Sequence, residues 1–240
     1  CECAVDGSGW LGANSCGTGF YCDDGRCLDA TCLPNVLFAL DGSGSMDGQW
    51  PNVIAAVNNA VAAQPLVAFG LAMFPRTSGC AIADDPRPDG RLPGPWPDVP
   101  IQANSSRAIA RWFDTNPLAN GNTPLLDTLE WLAEHAEEVW GAAITNGYLV
   151  VLSDGEDTCN SCPEGDSACV ARQLEDATQA LVAKGVRVYI IGYNFSGASE
   201  QLRAVARAGG TDLTDFIRAG NEETLIGAFT AIFDDLKGCD

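Results

Sequence analysis

Five oxygen-bearing side chains lie at or beside the ends of apolar runs in this chain: Asp41, Ser43, Ser45, Thr123 and Asp154. The first three follow an apolar run at 36–40, and the last follows a second run at 148–153. Carboxylate and hydroxyl oxygens are hard ligands, which suit small divalent cations. The pattern therefore predicts a metal site, provided that the fold brings the five side chains together.

Short apolar runs alternate with helical patterns over most of the chain. The runs that predict strands are 36–40, 67–74, 99–102, 148–153, 186–192 and 216–218. The patterns that predict helices are 51–63, 105–114, 123–139, 166–183, 198–208 and 222–236. Such alternation predicts an α/β fold with a doubly wound, mostly parallel sheet. Ligands of such sheets bind outside the carboxyl ends of the strands, which is where the five side chains would meet.

The charge of the chain limits its partners. Its 240 residues include 32 acidic and 13 basic residues, which gives a formal net charge of −19. This charge argues against nucleic acid or an anionic membrane surface as the main partner. No stretch approaches the roughly 20 apolar residues of a membrane span, and no segment has a signal-peptide pattern.

Eleven cysteines indicate an oxidising compartment. Their spacing does not match a zinc site, because the pair Cys159 and Cys162 has no second pair at zinc-finger distance. Six cysteines fall within residues 1–32, which contain hardly any aliphatic run and must be held by disulfides. We therefore predict two units, a small cysteine-rich segment at 1–32 and an α/β domain at 33–240. The protein is predicted to be secreted or at the cell surface, and a periplasmic or outer-membrane-anchored location is the alternative.

The order Asp41-x-Ser43-x-Ser45, Thr123 and Asp154 resembles the metal-ion-dependent adhesion site (MIDAS) of von Willebrand factor type A domains, also known as integrin I domains. The resemblance covers residues 33–238 and implies their Rossmann-like fold. It also implies Mg²⁺, with Mn²⁺ or Ca²⁺ as alternatives. The two serines would bind the ion directly, the two aspartates directly or through water, and Thr123 in either way. One position is left for an Asp or Glu of a partner.

This resemblance implies a function in cell adhesion or protein binding, in which the metal captures a carboxylate of a protein ligand. An alternative remains open, in which the chain is a structural component of a surface fibre or envelope assembly and the metal only stabilises loops. The oligomeric state is left open by both interpretations.

Enzyme chemistry is disfavoured by the residues present. The chain has no Gly-x-Ser-x-Gly nucleophile motif, and its single histidine, His135, is predicted to be a solvated helix residue. The glycines around Ser43 miss the dinucleotide-binding spacing. A metal-dependent hydrolase would need more carboxylates or histidines on the metal. We therefore expect no enzymatic activity.

Several acidic residues lie near the predicted site without being assigned to it. Glu156 and Asp157 could orient the metal ligands without contacting the metal themselves, but we interpret them as solvated loop acids. Asp47 does not match the position of a second integrin metal site. The three acids of the insertion 76–100 are assigned to solubility: Asp84, Asp85 and Asp89.

The resemblance also implies that the chain ends of the α/β domain lie close together, so we predict a Cys32–Cys239 disulfide. Two further bridges are expected among Cys3, Cys16, Cys22 and Cys27, and two more among Cys80, Cys159, Cys162 and Cys169. This scheme uses ten of the eleven cysteines and leaves Cys1 without a disulfide partner. Cys1 would carry the lipid of a bacterial lipoprotein, which is the one predicted membrane contact. The alternatives are an intermolecular disulfide, a different internal pairing, or a sequence that starts at a cysteine by chance.

Overall fold

The computed structural model describes residues 20–23, 26–29, 33–76, 78–82, 96–142, 144, 146–195 and 197–236. Its first two strands, β1 (Phe20–Asp23) and β2 (Arg26–Asp29), form an antiparallel hairpin in which the backbones of Cys22 and Cys27 are paired. The predicted bridges of the cysteine-rich segment and the Cys32–Cys239 bridge lie outside the described residues or depend on side chains that are not described. They stay predictions.

A second sheet of six strands forms the centre of the fold. Its strands are β3 (Asn35–Asp41), β4 (Ala68–Phe74), β5 (Val99–Gln102), β6 (Gly147–Ser153), β7 (Val186–Tyr193) and β8 (Ile217–Ala219). Their order is β5-β4-β3-β6-β7-β8, and every neighbouring pair is parallel except β4 with the edge strand β5. The predicted α/β fold with a mostly parallel sheet is confirmed.

In the part of the chain that the structure describes, seven α-helices cover the two faces of the sheet. They are α1 (Trp50–Ala63), α2 (Ser106–Thr115), α3 (Leu125–Glu134), α4 (Ala136–Trp140), α5 (Ser167–Ala183), α6 (Glu200–Ala208) and α7 (Glu222–Asp235). A short 3₁₀ helix, Gly44–Gln49, precedes α1. Among the described residues, no helix has the length and apolar character needed to cross a membrane.

The helix predicted at 123–139 is interrupted at His135, which separates α3 from α4. The His135 ring stacks on Trp131 with centroids 4.0 Å apart, and its Nδ1 forms a 2.9 Å hydrogen bond with the Trp131 carbonyl oxygen. Our prediction of a solvated helix residue was therefore wrong, because His135 is half-buried against a neighbouring ring.

Alternate residues of each strand point to opposite faces of the sheet and pack into two separate core layers. In β3, Phe38 and its alternate neighbours pack towards α1, α2 and α7, while Leu37 and Ala39 pack towards α3, α4, α5 and α6. Phe38 stacks on Phe69 of β4 and meets Phe229 of α7 edge-on. Strands buried on both faces need continuous apolar sequence, which is why the runs are recognisable. Each fully buried Leu or Phe side chain of these layers contributes about 1.5–3 kcal/mol by leaving water.

The strand order places the candidate residues at the point where the winding of the sheet reverses. From β3 the chain first builds β4 and β5 on one side, and it then returns to build β6, β7 and β8 on the other. Strands β3 and β6 are therefore hydrogen-bonded neighbours whose carboxyl ends, Asp41 and Ser153, lie side by side. Such a reversal leaves a crevice between the loops that follow the two strands.

Gly70 of β4 allows the close approach of β5, and this gives a first prediction. A Cβ at Gly70 would lie 2.9 Å from both the Ile101 nitrogen and the Val99 oxygen. We expect Gly70→Ala to lower the free energy of unfolding by about 1–3 kcal/mol, because the backbone of β5 must shift. Urea denaturation measures this.

The matched control is Gly227→Ala in α7, where no described atom lies within 4 Å of the added Cβ. This change should raise the free energy of unfolding by about 0.5–1 kcal/mol, because alanine favours the helix. A Gly70→Ala protein as stable as the wild type would contradict the predicted steric conflict.

Candidate metal centre

Asp41 is the last residue of β3 and is fully buried. Its Oδ1 accepts a hydrogen bond of 2.9 Å from the Ser43 backbone N–H, and its Oδ2 accepts one of 2.5 Å from the Ser153 hydroxyl. Ser153 ends the neighbouring strand β6, so the two central strands hold this carboxylate between them. Both carboxylate oxygens are thereby fixed in position.

Burial raises the pKa of the Asp41 carboxyl to about 6 from its usual 3.8. The hydrogen bonds from Ser153 and Ser43 lower this pKa in part, and the nearby negative charge of Asp154 adds to the rise. A carboxylate in these surroundings is poorly solvated, and a nearby positive charge would favour its ionised form. The electrostatics of this position therefore favour a bound cation.

Ser43, Ser45 and Asp154 form a continuous row of oxygens beside Asp41. The Ser43 and Ser45 hydroxyl oxygens are 3.1 Å apart, and the Ser45 hydroxyl donates to Asp154 Oδ1 at 2.7 Å. The Gln49 amide donates to Asp154 Oδ2 at 3.3 Å from the end of the 3₁₀ helix. The row thus joins the loop after β3 to the loop after β6.

Thr123 is brought to the same edge by the segment that precedes α3. Gly121 pairs with Ser43 as an isolated parallel bridge, and its carbonyl accepts the Gly44 N–H at 3.1 Å. Thr123 is buried, and its hydroxyl oxygen lies 4.0 Å from where a Cβ of Gly155 would be. All five candidate residues therefore lie at one edge of the sheet, with Asp41 at the end of β3 and the other four on three loops that meet there.

The chemistry of this donor set fits a small hard cation. Adjacent ligands of an octahedral ion with bonds of about 2.1 Å lie about 3 Å apart, which matches the oxygen spacings in the row. Gln49 Oε1 is buried and accepts no hydrogen bond from the described residues, so a polar acceptor is left over beside the row. The described residues contain no group of three or more His, Cys, Asp or Glu arranged for a metal. A metal here would depend on the hydroxyl groups.

Asp157 and Glu156 are not the solvated loop acids that we predicted. Asp157 is only 5% exposed, and its Oδ2 accepts the Leu126 N–H at 2.7 Å. Glu156 is half-buried and accepts the Ser199 hydroxyl at 2.7 Å. Their partners are distant in sequence, which is why a loop-like composition was misleading.

Two disulfides connect the four cysteines that were predicted to pair among themselves. Cys80 is bonded to Cys159, and Cys162 is bonded to Cys169. The first bridge ties the insertion after β4 to the loop that follows Asp154. The second closes a short local loop before and within α5.

No protein-family model and no curated protein matches the chain. Solved structures do match. The pilus adhesin SpaC of Lactobacillus rhamnosus GG, in an open conformation, has 13% identity and a TM-score of 0.60 over 85% of this chain and 30% of its own. Mussel byssus proximal thread matrix protein 1, with a zinc-occupied MIDAS motif, has 14% identity and a TM-score of 0.57 over 84% and 47%. This chain therefore spans less than half the length of either protein.

A third match covers nearly the whole length of the matched structure. The vWF domain of the type V pili tip protein Mfa5 from Porphyromonas gingivalis has 12% identity and a TM-score of 0.53 over 83% of this chain and 93% of its own. At these identities the comparison concerns the fold. The sheet order, the helices on both faces and these matches agree that the chain has the von Willebrand factor type A fold.

Proposed function

We propose that this protein is a metal-dependent adhesion module that captures a carboxylate of a protein partner. The cation would be held by Asp41, Ser43, Ser45, Thr123 and Asp154. The observation that carries this proposal is the row of hydroxyl and carboxylate oxygens, spaced by 3.1 and 2.7 Å, beside the fully buried carboxylate of Asp41.

The composition of the ligand set supports capture of an anion. The direct ligands Ser43 and Ser45 are neutral, so where Asp41 and Asp154 bind through water the cation has no charged direct ligand and would supply a positive position for a partner's Asp or Glu. Ser43 and Ser45 would be direct ligands. Asp41, held by Ser43 and Ser153, would stay fixed whether or not a partner is bound. Mg²⁺ suits this set of hard oxygens, and Mn²⁺ or Ca²⁺ has similar ligand preferences.

The proteins with this fold support an adhesive role at the cell surface. Two of the matched structures are named as a pilus adhesin and a pili tip protein, and neither name is that of an enzyme. The net charge of −19 disfavours nucleic acid as a partner. We therefore propose a protein ligand, an extracellular or surface location and no enzymatic activity.

A second candidate is a structural role, in which the metal stabilises loops of an extracellular assembly. The match to a byssus thread matrix protein with a zinc-occupied MIDAS motif favours it. The two candidates differ in what the loss of the metal changes. An adhesion module loses partner binding and keeps its fold, whereas a structural component loses stability or assembly.

Selection from a displayed peptide library tests the adhesive function. We expect peptides retained in millimolar Mg²⁺ to share an Asp or Glu and to be released by EDTA. Changing that acid to Asn or Gln should abolish retention, because the neutral amide cannot compensate the charge of the cation. Retained peptides that lack a common acid, or whose binding survives EDTA, would contradict the proposal.

A further inference from the structure

Helix α3 begins immediately after Thr123 and receives its N-terminal cap from another loop. The first N–H groups of a helix need acceptors from outside the helix, and the side chain of Pro124 at the N-cap position has none to offer. The Leu126 N–H instead donates to Asp157 Oδ2 at 2.7 Å. The cap of α3 therefore comes from the segment that follows Asp154.

Thr158 holds Thr123 itself through two hydrogen bonds. The Thr123 N–H donates to the Thr158 hydroxyl at 2.9 Å, and the Thr158 N–H donates to the Thr123 carbonyl at 3.0 Å. Both backbone polar groups of Thr123 are thus bound by one residue. The Thr158 side chain is exposed, so it has little packing role in the core.

Asp157 is itself fixed from two further directions. Its Oδ1 accepts the Cys159 N–H at 2.9 Å, and its own N–H donates to the Oε1 of Gln201 at 2.9 Å. Gln201 is buried in the first turn of α6. The negative charge of Asp157 also lies at the N-terminus of α3, where the helix dipole favours it. The segment after Asp154 is therefore anchored to α6 and to α3 together.

These contacts connect two loops that carry proposed metal ligands. Asp154 lies on one loop and Thr123 on the other, and the contacts of Asp157 and Thr158 set the distance between them. We propose that Asp157 and Thr158 are positioning residues of the cation site, which act by holding Thr123 against the Asp154 loop. This inference rests on the proposed function, because it assumes that the five residues bind a cation.

The Thr158 side chain gives the sharpest test, because valine and serine separate its hydroxyl from its shape. Thr158→Val removes the acceptor of the Thr123 N–H, and Thr158→Ser retains it. We expect Thr158→Val to weaken Mg²⁺ binding by about 3- to 10-fold, as for the loss of one hydrogen bond. Thr158→Ser should bind Mg²⁺ as the wild type does. Calorimetry measures the Mg²⁺ affinity, and the electron paramagnetic resonance of bound Mn²⁺ should broaden in the valine variant alone.

The matched control is Thr230→Val on α7. Its hydroxyl is also exposed and also donates a hydrogen bond, at 2.9 Å to the Ile226 carbonyl, but it lies on a different element from the site. Its Mg²⁺ affinity and Mn²⁺ spectrum should equal those of the wild type.

Asp157 provides an independent comparison with Asp166, which also caps a helix. Asp166 accepts the Cys169 N–H at 2.9 Å at the start of α5. Both Asp157→Ala and Asp166→Ala remove a cap, so both should lower stability. We expect a loss of Mg²⁺ affinity of about tenfold or more from the first change alone, since the acceptor of the Leu126 and Cys159 N–H groups and of the Asn160 amide is lost. If Asp157→Ala fails to fold, the Thr158 variants decide the matter.

Several results would overturn the inference. Wild-type Mg²⁺ affinity in Thr158→Val would do so, as would equal weakening in the valine and serine variants. The proposed cation site would survive either result, because wild-type binding would still be observed. Absence of Mg²⁺ binding by the wild type itself would overturn the cation site and the positioning role together.

Discussion

Replacing Asp41 with asparagine is expected to abolish Mg²⁺ binding at millimolar concentration while the protein stays folded. One unit charge about 4 Å from another contributes about 4 kcal/mol at the effective dielectric constant near a protein surface, so removing it should cost at least about 100-fold in affinity. Asparagine has nearly the same shape as aspartate. Its carbonyl oxygen can still accept the Ser43 N–H that Asp41 accepts at 2.9 Å.

The metal-free variant should be at least as stable as the wild type. Burial raises the pKa of Asp41 to about 6, above its value in the unfolded chain, so at neutral pH the ionised group opposes folding. The neutral amide removes that cost. Mg²⁺ calorimetry and urea denaturation in EDTA measure the two effects. A wild-type protein that is much less stable in EDTA than in Mg²⁺ and loses its fold there would favour the structural role.

Asp47→Asn is the matched control for Asp41→Asn. Asp47 is exposed on the 3₁₀ helix that contains Ser45, and the same unit of charge is removed. Because exposed charges are screened by solvent and salt, we expect the Mg²⁺ affinity to change by about twofold or less. An effect equal to that of Asp41→Asn would mean that net charge, and not ligation by Asp41, determines binding.

Removing the Cys80–Cys159 disulfide is expected to have the second largest effect. The bridge spans 79 residues, for which the chain-entropy model gives about 4.5 kcal/mol of stability. It also holds the loop after Asp154 to residues beside Thr123, since the Asn122 N–H donates to the Gly79 carbonyl at 3.1 Å. We expect the Cys80→Ser, Cys159→Ser protein to lose stability in urea and to bind Mg²⁺ more weakly.

The bridge between Cys162 and Cys169 is the comparison for that result. It spans 7 residues, so the same model gives only about 2 kcal/mol. Its replacement by serines should leave Mg²⁺ affinity unchanged, because it closes a local turn at the start of α5. If replacing either disulfide caused the same loss of stability, or the same loss of Mg²⁺ affinity, then Cys80–Cys159 would have no special role in holding the loop after Asp154.

The strands and most helices could be predicted because burial on both sheet faces leaves continuous apolar runs. Strand β7, predicted at 186–192, is observed at Val186–Tyr193. The 3₁₀ helix Gly44–Gln49 could not be predicted, since its Gly, Ser and Asp residues follow no helical period. The break at His135 was missed because apolar residues continue on both sides of it. At the break, the His135 ring stacks on Trp131 of the preceding helical turn.

The proximity of the five candidate ligands could be predicted because the loops after parallel strands lie at one edge of the sheet. The residues that hold these ligands in position could not be predicted. Asp157 is 31 residues from Leu126 and 44 from Gln201, and its role depends on how the loops pack after the sheet has formed. Its composition is that of an ordinary acidic loop. Pairing among the four cysteines of the α/β domain was likewise left open by spacing alone.

A divalent cation held by Asp41, Ser43, Ser45, Thr123 and Asp154 should be visible in crystals soaked in millimolar Mn²⁺, through an anomalous difference map recorded at the manganese edge. We expect one strong peak within about 2.2 Å of the hydroxyl oxygens of both Ser43 and Ser45, with Asp41, Thr123 and Asp154 around it directly or through water. A map without a peak there, or a peak that neither serine contacts, would rule out this cation site.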